Sequence, residues 1–187
     1  CDRIDMNAAS EPSVKGGLDG GTIYLTTADR WGNMVSFIHS IFSVYGSGIT
    51  IPPYGMILHN RGVAFSVDEE HPNVVAPRKR PFLSIIAGMV MQYDQPLMTF
   101  GNMGGSVQPE THAQHMVNVI DHGMNVQMTT DVARFTHSQN SNILSLEHDL
   151  FSLVGRSLQA RGHDVRSVNG GRVGGYQGIL FTRDPNL

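Results

Sequence analysis

The alternation of apolar and polar positions after residue 21 predicts a β-hairpin. TIYLTTAD alternates β-branched and aromatic residues with small polar ones, RWGN has turn composition, and MVSFIHSIF resumes the extended pattern. A Gly/Pro-rich loop, the short strand MILHN and a long connection over residues 61–80 follow. PFLSIIAGMVMQ and PLMTFG predict two further strands, and their continuous apolar run, which includes Ile85, Ile86, Met89 and Val90, predicts burial on both faces.

Two helices are predicted in the second half of the chain. Residues 108–122 have a helical apolar stripe, with Pro109 in the first turn and Gly123 just past the end. This stripe assigns His112 and His115 to the solvated face. A second helix is expected over residues 146–161, with Ser145 as its N-cap. HDVRSV and QGILFT then predict short strands, and the order of strands, helices and strands predicts an α+β layered domain.

Composition excludes several classes of protein. The 187 residues carry a net charge of −3, with 40% hydrophobic and 16% charged residues, so we expect a globular chain without the basic footprint of a nucleic-acid binder. One cysteine excludes a disulfide framework and a zinc ribbon. The longest apolar stretch is too short for the roughly 20 residues of a membrane helix. The polar Gly/Pro/Ser run of residues 1–21 predicts the tail of a preceding segment.

Four further features could carry chemistry, and each also has an ordinary structural explanation. His112 and His115 share a helix face but lack the HExxH pattern, so we expect no metal and no cofactor. Cys1 is expected to be an incidental thiol, and PRKR, which ends at Arg80, a solvated corner. GNMGGS lies between a buried strand and the clearest helix. It is either a plain turn or an oxyanion hole built from backbone N–H groups, because a phosphate loop would need a Lys.

Thr22 opens the first strand directly after the glycine-rich GLDGG. A threonine in a strand is ordinary. It becomes a nucleophile when its own α-amino group is free to act as the base, which requires cleavage of the bond between Gly21 and Thr22.

An ordered set of motifs then identifies a family. DRWGN, YGSGI, ILHNRG, HPN, APRKRP, GNMGG and HGMNVQ follow Thr22 at consistent spacing, and together they resemble the small subunit of γ-glutamyltransferases over residues 22–187. The resemblance implies an N-terminal-nucleophile hydrolase, a four-layer αββα sandwich completed by a large subunit that is not in this chain. It also implies a precursor that cleaves itself, with residues 1–21 ending the large subunit and residues 22–187 forming the small catalytic subunit.

The resemblance assigns roles to individual residues. Thr22 matches the nucleophile, Ser40 a hydroxyl that hydrogen-bonds it and assists maturation, and Gly104 and Gly105 the oxyanion hole. Ser84 matches one of two serines that hold the substrate α-carboxylate, and Leu83 stands at the position of the other. Asn60, in the NRG of the acylase-like subgroup, is also assigned to substrate binding.

The departures from the family pattern concern recognition of the substrate amine. Phe42, Arg61 and Ala64 replace an Asn, a Gln and an Asp that hold the glutamyl ammonium in classical members. Arg61 could instead pair with a substrate carboxylate, or with a carboxylate of the protein itself.

The resemblance therefore predicts an acyl transferase or hydrolase of γ-glutamyl or glutaryl amides that forms a threonyl acyl-enzyme and is paired with its large subunit as a heterodimer. The alternatives are a glutaryl- or cephalosporin-acylase-type amidase, and a non-catalytic relative that serves as a structural or binding subunit.

Overall fold

The computed structural model describes residues 20–182, without the side chain of Arg172. Cys1 and most of the predicted tail lie outside the described residues.

Within that range the chain forms ten strands and three helical segments. The strands are β1 Thr22–Ala28, β2 Met34–Ser40, β3 Thr50–Ile51, β4 Met56–Ile57, β5 Ala87–Gln92, β6 Gln95–Asn102, β7 Phe135–Ser138, β8 Ile143–Glu147, β9 Asp164–Val168 and β10 Tyr176–Leu180. The helices are α1 Gln108–Ile120, α2 Val126–Asp131 and α3, in which α-helical His148–Leu150, π-helical Phe151–Gly155 and α-helical Arg156–Ala160 follow one another. Short 3₁₀ turns occur at Arg61–Ala64, Gly105–Val107 and Gly170–Arg172.

The predicted hairpin is confirmed. β1 and β2 pair antiparallel, with Thr22 opposite Ser40 at one end. The turn is closed by the Asp29 carboxylate, which accepts hydrogen bonds from the backbone N–H groups of Trp31 and Asn33 and from the Asn33 carboxamide. The bond from the Asn33 side chain is the main cause that lowers the pKa of Asp29. The turn therefore sets the register that brings Thr22 and Ser40 together.

Three layers are stacked on one another, and the middle layer is a sheet with the strand order β10–β6–β5. On one face Met98, Phe100 and Tyr176 form the core cluster, and residues of α1 and α2 pack against it. On the other face lies the β1–β2 hairpin: the Tyr24 ring covers Gly101, and the Thr26 and Thr99 hydroxyls are hydrogen-bonded. The predicted α+β class is confirmed, and the described residues supply a helical layer and two sheet layers of the sandwich.

A third sheet, in the order β7–β8–β9, lies beside this stack. β8 and β9 are parallel, and α3 is the crossover between them. Leu146 in β8 is buried and interior, so the prediction that a helix begins at residue 146 with Ser145 as its N-cap is wrong; the helix begins at His148. β8 pairs with β7 on one side and with β9 on the other. This pairing outweighs the helical spacing of the leucines from residue 146 onwards.

The predicted orientation of α1 is also wrong. Its buried stripe is Gln108, Thr111, His112 and His115, whereas Val117 and Ile120 are 45% and 69% exposed. The buried polar residues and the apolar residues of α1 both recur every three or four positions. Periodicity therefore predicts the helix but does not identify its buried face. The two histidines are core residues, not solvated ones.

The strand over residues 81–92 is shorter than predicted, because only Ala87–Gln92 joins the sheet. β5 is an edge strand, and Met89 is 42% exposed, so burial on both faces does not hold for the described residues. Neither α2 nor β7 was predicted from the sequence.

Candidate functional site

Thr22 and Ser40 face each other across the open end of the β1–β2 hairpin. Their hydroxyl oxygens are 2.8 Å apart and hydrogen-bonded. Ser40 Oγ is also 3.0 Å from the backbone nitrogen of Phe42, which donates to it. Both residues are partly buried, so the strand register holds the pair while part of it remains exposed.

The peptide group before Thr22 is fixed by the same hairpin. Ile41 N–H donates to the Gly21 carbonyl at 3.0 Å, and Gly21 N–H donates to the Phe42 carbonyl at 2.9 Å. A β-carbon at position 21 would lie 2.6 Å from Ile41 Cγ1 and 2.9 Å from the Ser43 carbonyl oxygen. Glycine is therefore required here by space, and the carbonyl next to the Thr22 hydroxyl already accepts a hydrogen bond.

Arg61 begins a 3₁₀ turn and points its guanidinium at this pair. Nη2 donates to Ser40 Oγ and Nη1 to Ser84 Oγ, each at 3.0 Å. The residue is only 4% exposed, and burial lowers its pKa from the ordinary value for arginine. The Phe42 ring lies beneath the guanidinium, 5.0 Å from centroid to Cζ. Two serines and one aromatic ring thus contact the guanidinium within the described residues.

Within residues 20–182, the ion pairs formed are those of Arg134 with Glu147 and of Arg166 with Asp164. Arg61 thus has no protein carboxylate among the described residues. A guanidinium carries five N–H bonds, and two of those on Arg61 donate to groups in the described part of the chain. A buried cation without a counter-charge is costly unless an anion reaches it.

Asn60, a predicted substrate-binding residue, and Leu83, which stands where the family has a serine, are not among the residues that contact Thr22. The Asn60 carboxamide accepts from Ser43 N–H at 3.0 Å and donates to Ser43 Oγ at 2.9 Å, so it fixes the loop after β2. Leu83 is 61% exposed, while its neighbour Ser84 is buried against Arg61.

Gly104 and Gly105 form the turn between β6 and α1. Their φ angles of 142° and 64° favour glycine, and a β-carbon on Gly104 would lie 2.9 Å from Val107 Cγ2 and 3.1 Å from Gly174 Cα. Their N–H groups donate to no group in the described part of the chain. Thr26 contacts Thr99, and Tyr24, two residues earlier in β1, contacts Gly101, two residues later in β6. Continuing this register by two residues along both strands leads from Thr22 towards this turn.

A buried polar network supports the turn from below. Asn102 N–H donates to His112 Nε2 at 3.1 Å, and the Asn102 carboxamide donates to the Met103 carbonyl at 2.6 Å. Arg134 Nη1 donates to Asn102 Oδ1 at 3.4 Å, and its Nη2 pairs with Glu147 at 3.1 Å. These supporting residues were not predicted from sequence. The available signal was the helical spacing of polar residues on α1.

His112 and His115 stay neutral because of their burial. Desolvation lowers the pKa of His112, and it lowers the pKa of His115 to about 4, assisted by the positive charge of Arg134. Over residues 20–182 no group of three or more His, Cys, Asp or Glu side chains could hold a metal ion. In the same range no helix has the length and apolarity needed to cross a membrane.

Comparison with known proteins gives one family. The family model described as gamma-glutamyltranspeptidase matches residues 2–186. An oxamate amidohydrolase proenzyme from Klebsiella pneumoniae is 34% identical over 190 residues, covering 99% of this chain and 36% of that protein. A crystal structure of cephalosporin acylase from Bacillus halodurans is 41% identical with a TM-score of 0.79, covering 87% of this chain and 30% of that one.

A gamma-glutamyltranspeptidase structure from Helicobacter pylori is 27% identical with a TM-score of 0.76, covering 87% of this chain and 92% of that one. The chain spans about a third of the length of the curated relatives it matches. The family match covers nearly the whole sequence, and the folds agree. The chain belongs to the gamma-glutamyltranspeptidase family.

Proposed function

We propose that this chain is the catalytic part of a self-processing acyl transferase or hydrolase that cleaves γ-glutamyl or glutaryl amides through a threonyl ester. The observation that carries the proposal is the hydrogen-bonded chain Thr22–Ser40–Arg61–Ser84 beside the peptide bond between Gly21 and Thr22. It joins a hydroxyl nucleophile to a buried cation that has no carboxylate partner within residues 20–182. The proenzyme names of the relatives agree with self-processing.

Self-cleavage begins with attack of Thr22 Oγ1 on the Gly21 carbonyl carbon. The hydroxyl proton passes to solvent, the C–N bond breaks as the nitrogen takes up a proton, and an ester remains. Water then hydrolyses the ester, which leaves a carboxylate on Gly21 and a free amine on Thr22. The hydrogen bond from Ile41 N–H to the Gly21 oxygen supports this step, because it stabilises the negative charge that develops there.

Turnover uses the hydroxyl again, with the new amine as base. Thr22 Oγ1 attacks the amide carbonyl of the substrate, its proton moves to the α-amino group, and the leaving amine takes up that proton. The unused N–H groups of Gly104 and Gly105 are the proposed donors to the tetrahedral oxyanion, each worth about 3 kcal/mol. Water or an amine acceptor then releases the acyl group.

The acyl donor is proposed to lack an α-amine. The side chains of Phe42 and Arg61 have no acceptor atom for an ammonium group, and leaving that charge unpaired would cost several kcal/mol. A carboxylate suits the free N–H bonds of Arg61. These contacts favour a glutaryl-type donor over an unmodified γ-glutamyl one. The 41% sequence identity to a cephalosporin acylase supports the same choice.

A large subunit from the same precursor is the proposed partner. The face of the β1–β2 hairpin that points away from the central sheet is apolar and exposed in this chain, with Ile23, Leu25, Val35 and Phe37 between 42% and 57% exposed. Such a patch is typical of an interface. We expect the missing outer layer of the sandwich to cover it.

The test uses the matured full-length protein and two chromogenic substrates. The kcat/KM should be higher for glutaryl-p-nitroanilide than for γ-glutamyl-p-nitroanilide, and the Thr22→Ala variant, which remains an uncleaved precursor, should hydrolyse neither. Arg61→Gln should reduce the ratio of the two kcat/KM values, whereas Arg156→Gln, an exposed arginine on α3, should leave it unchanged. Turnover that survives Thr22→Ala would refute the enzyme mechanism. The absence of turnover in the wild type would favour the non-catalytic alternative.

A further inference from the structure

Among the described residues, three groups lie within hydrogen-bond distance of Ser40 Oγ, and two of them can only donate. The Phe42 backbone N–H and the Arg61 guanidinium are each 3.0 Å away, and Thr22 Oγ1 is 2.8 Å away. A serine hydroxyl accepts through two lone pairs and donates one hydrogen. Phe42 and Arg61 occupy both lone pairs, so the Ser40 hydrogen must point at Thr22.

We propose that Arg61 is a positioning residue that sets the direction of the hydrogen bond between Ser40 and Thr22, so that Ser40 is the donor and Thr22 Oγ1 the acceptor. The proposal rests on the proposed function, because it concerns the same nucleophile. It adds a role for Arg61 that does not require a substrate and that already operates in the uncleaved chain.

The direction has a chemical consequence at Thr22. A hydroxyl that accepts from Ser40 keeps its own hydrogen free to leave, and the bond it accepts stabilises the oxygen as negative charge develops during attack. Donation by a cation to Ser40 strengthens that bond, because successive hydrogen bonds polarise one another. With the opposite direction, the Thr22 hydrogen would point at Ser40, a hydroxyl too weakly basic to take up the proton, and no hydrogen bond from Ser40 would stabilise the attacking oxygen.

Ser84 holds the guanidinium in place for this role. It accepts from Nη1 while Nη2 contacts Ser40, and the Phe42 ring covers the cation. Lysine has a single nitrogen and cannot reproduce both contacts with the planar geometry of arginine. The site therefore requires the fork of an arginine in addition to a positive charge.

Self-cleavage of the full-length precursor tests the proposal without any substrate. We expect Arg61→Gln and Ser40→Ala each to slow cleavage by about tenfold to hundredfold, the range for a hydrogen bond to a charged group. Arg61 acts through Ser40, so the double variant should be no slower than Ser40→Ala alone. Arg61→Lys should recover part of the rate, and Arg156→Gln should cleave like the wild type.

The outcomes separate the two claims. If the effects of Arg61→Gln and Ser40→Ala multiply in the double variant, Arg61 acts independently of Ser40 and the positioning role is refuted, while the proposed function stands. A wild-type precursor that never cleaves refutes the proposed function itself. Thermal unfolding is measured for every variant, and the cycle is run with Arg61→Lys if Arg61→Gln does not fold. An Arg61→Lys cycle that is also multiplicative refutes the role equally.

Discussion

Protonation of His115 should destabilise the folded chain in acid. The ring is fully buried, stacks on Tyr176 with centroids 3.6 Å apart, and has a ring nitrogen 3.1 Å from the Thr129 hydroxyl. Its Nε2 contacts no hydrogen-bonding group in residues 20–182. An imidazolium would therefore be desolvated and would also face the cation of Arg134.

The magnitude follows from the pKa. Burial, with the charge of Arg134 second, lowers the pKa of His115 from 6.5 to about 4. The unfolded chain takes up the proton first, so the stabilisation is complete above pH 6.5 and is lost as the pH falls towards 4. One pKa unit corresponds to about 1.4 kcal/mol, so the loss is about 3 kcal/mol of unfolding free energy.

The assay is urea unfolding of the uncleaved Thr22→Ala precursor between pH 4 and 7.5. His115→Gln removes the titrating ring and should flatten the dependence of the unfolding free energy on pH by about 3 kcal/mol over this range. His163→Gln, an exposed histidine, is the matched control and should follow the parent profile. Parallel profiles for the parent and His115→Gln would refute the buried neutral histidine.

Three further predictions concern the site and its partner. Gly21→Ala should slow self-cleavage by roughly a hundredfold, measured by intact mass, because its new methyl collides with Ile41 and displaces the scissile carbonyl; an unchanged rate would contradict this. Gly104→Ala should lower kcat by roughly 10²-fold or more and clearly more than Gly105→Ala, which meets no atom within 4 Å; equal kcat values would exclude the steric argument. Phe37→Asp should prevent association with the large subunit in gel filtration of co-expressed subunits, and an intact heterodimer would show that this face is not the interface.

Local patterns were enough to predict the first hairpin and the α+β class. The alternation of β1 and β2 and the turn around Asp29 agree with the paired structure, because local sequence and sheet register favour the same result. The glycine-rich turn could also be located, since its backbone angles favour glycine. The resemblance assigned the roles at the site, and these roles remain proposals.

What could not be predicted depends on tertiary contacts. Leu146 looked like the start of a helix, but β7 and β9 on both sides of it make it a strand residue. His112 and His115 are buried because the network around Asn102 satisfies one ring and Tyr176 stacks on the other. Such partners are distant in sequence and have no local pattern. The contact of Arg61 with Ser40 was missed for the same reason.

The central claim is that Thr22 becomes an N-terminal nucleophile, and the most direct measurement is the intact mass and N-terminal sequence of the purified full-length precursor. We expect two chains, the smaller of which begins at Thr22, and a single uncleaved chain for Thr22→Ala. A wild-type precursor that stays intact, or a new terminus at another residue, would contradict it.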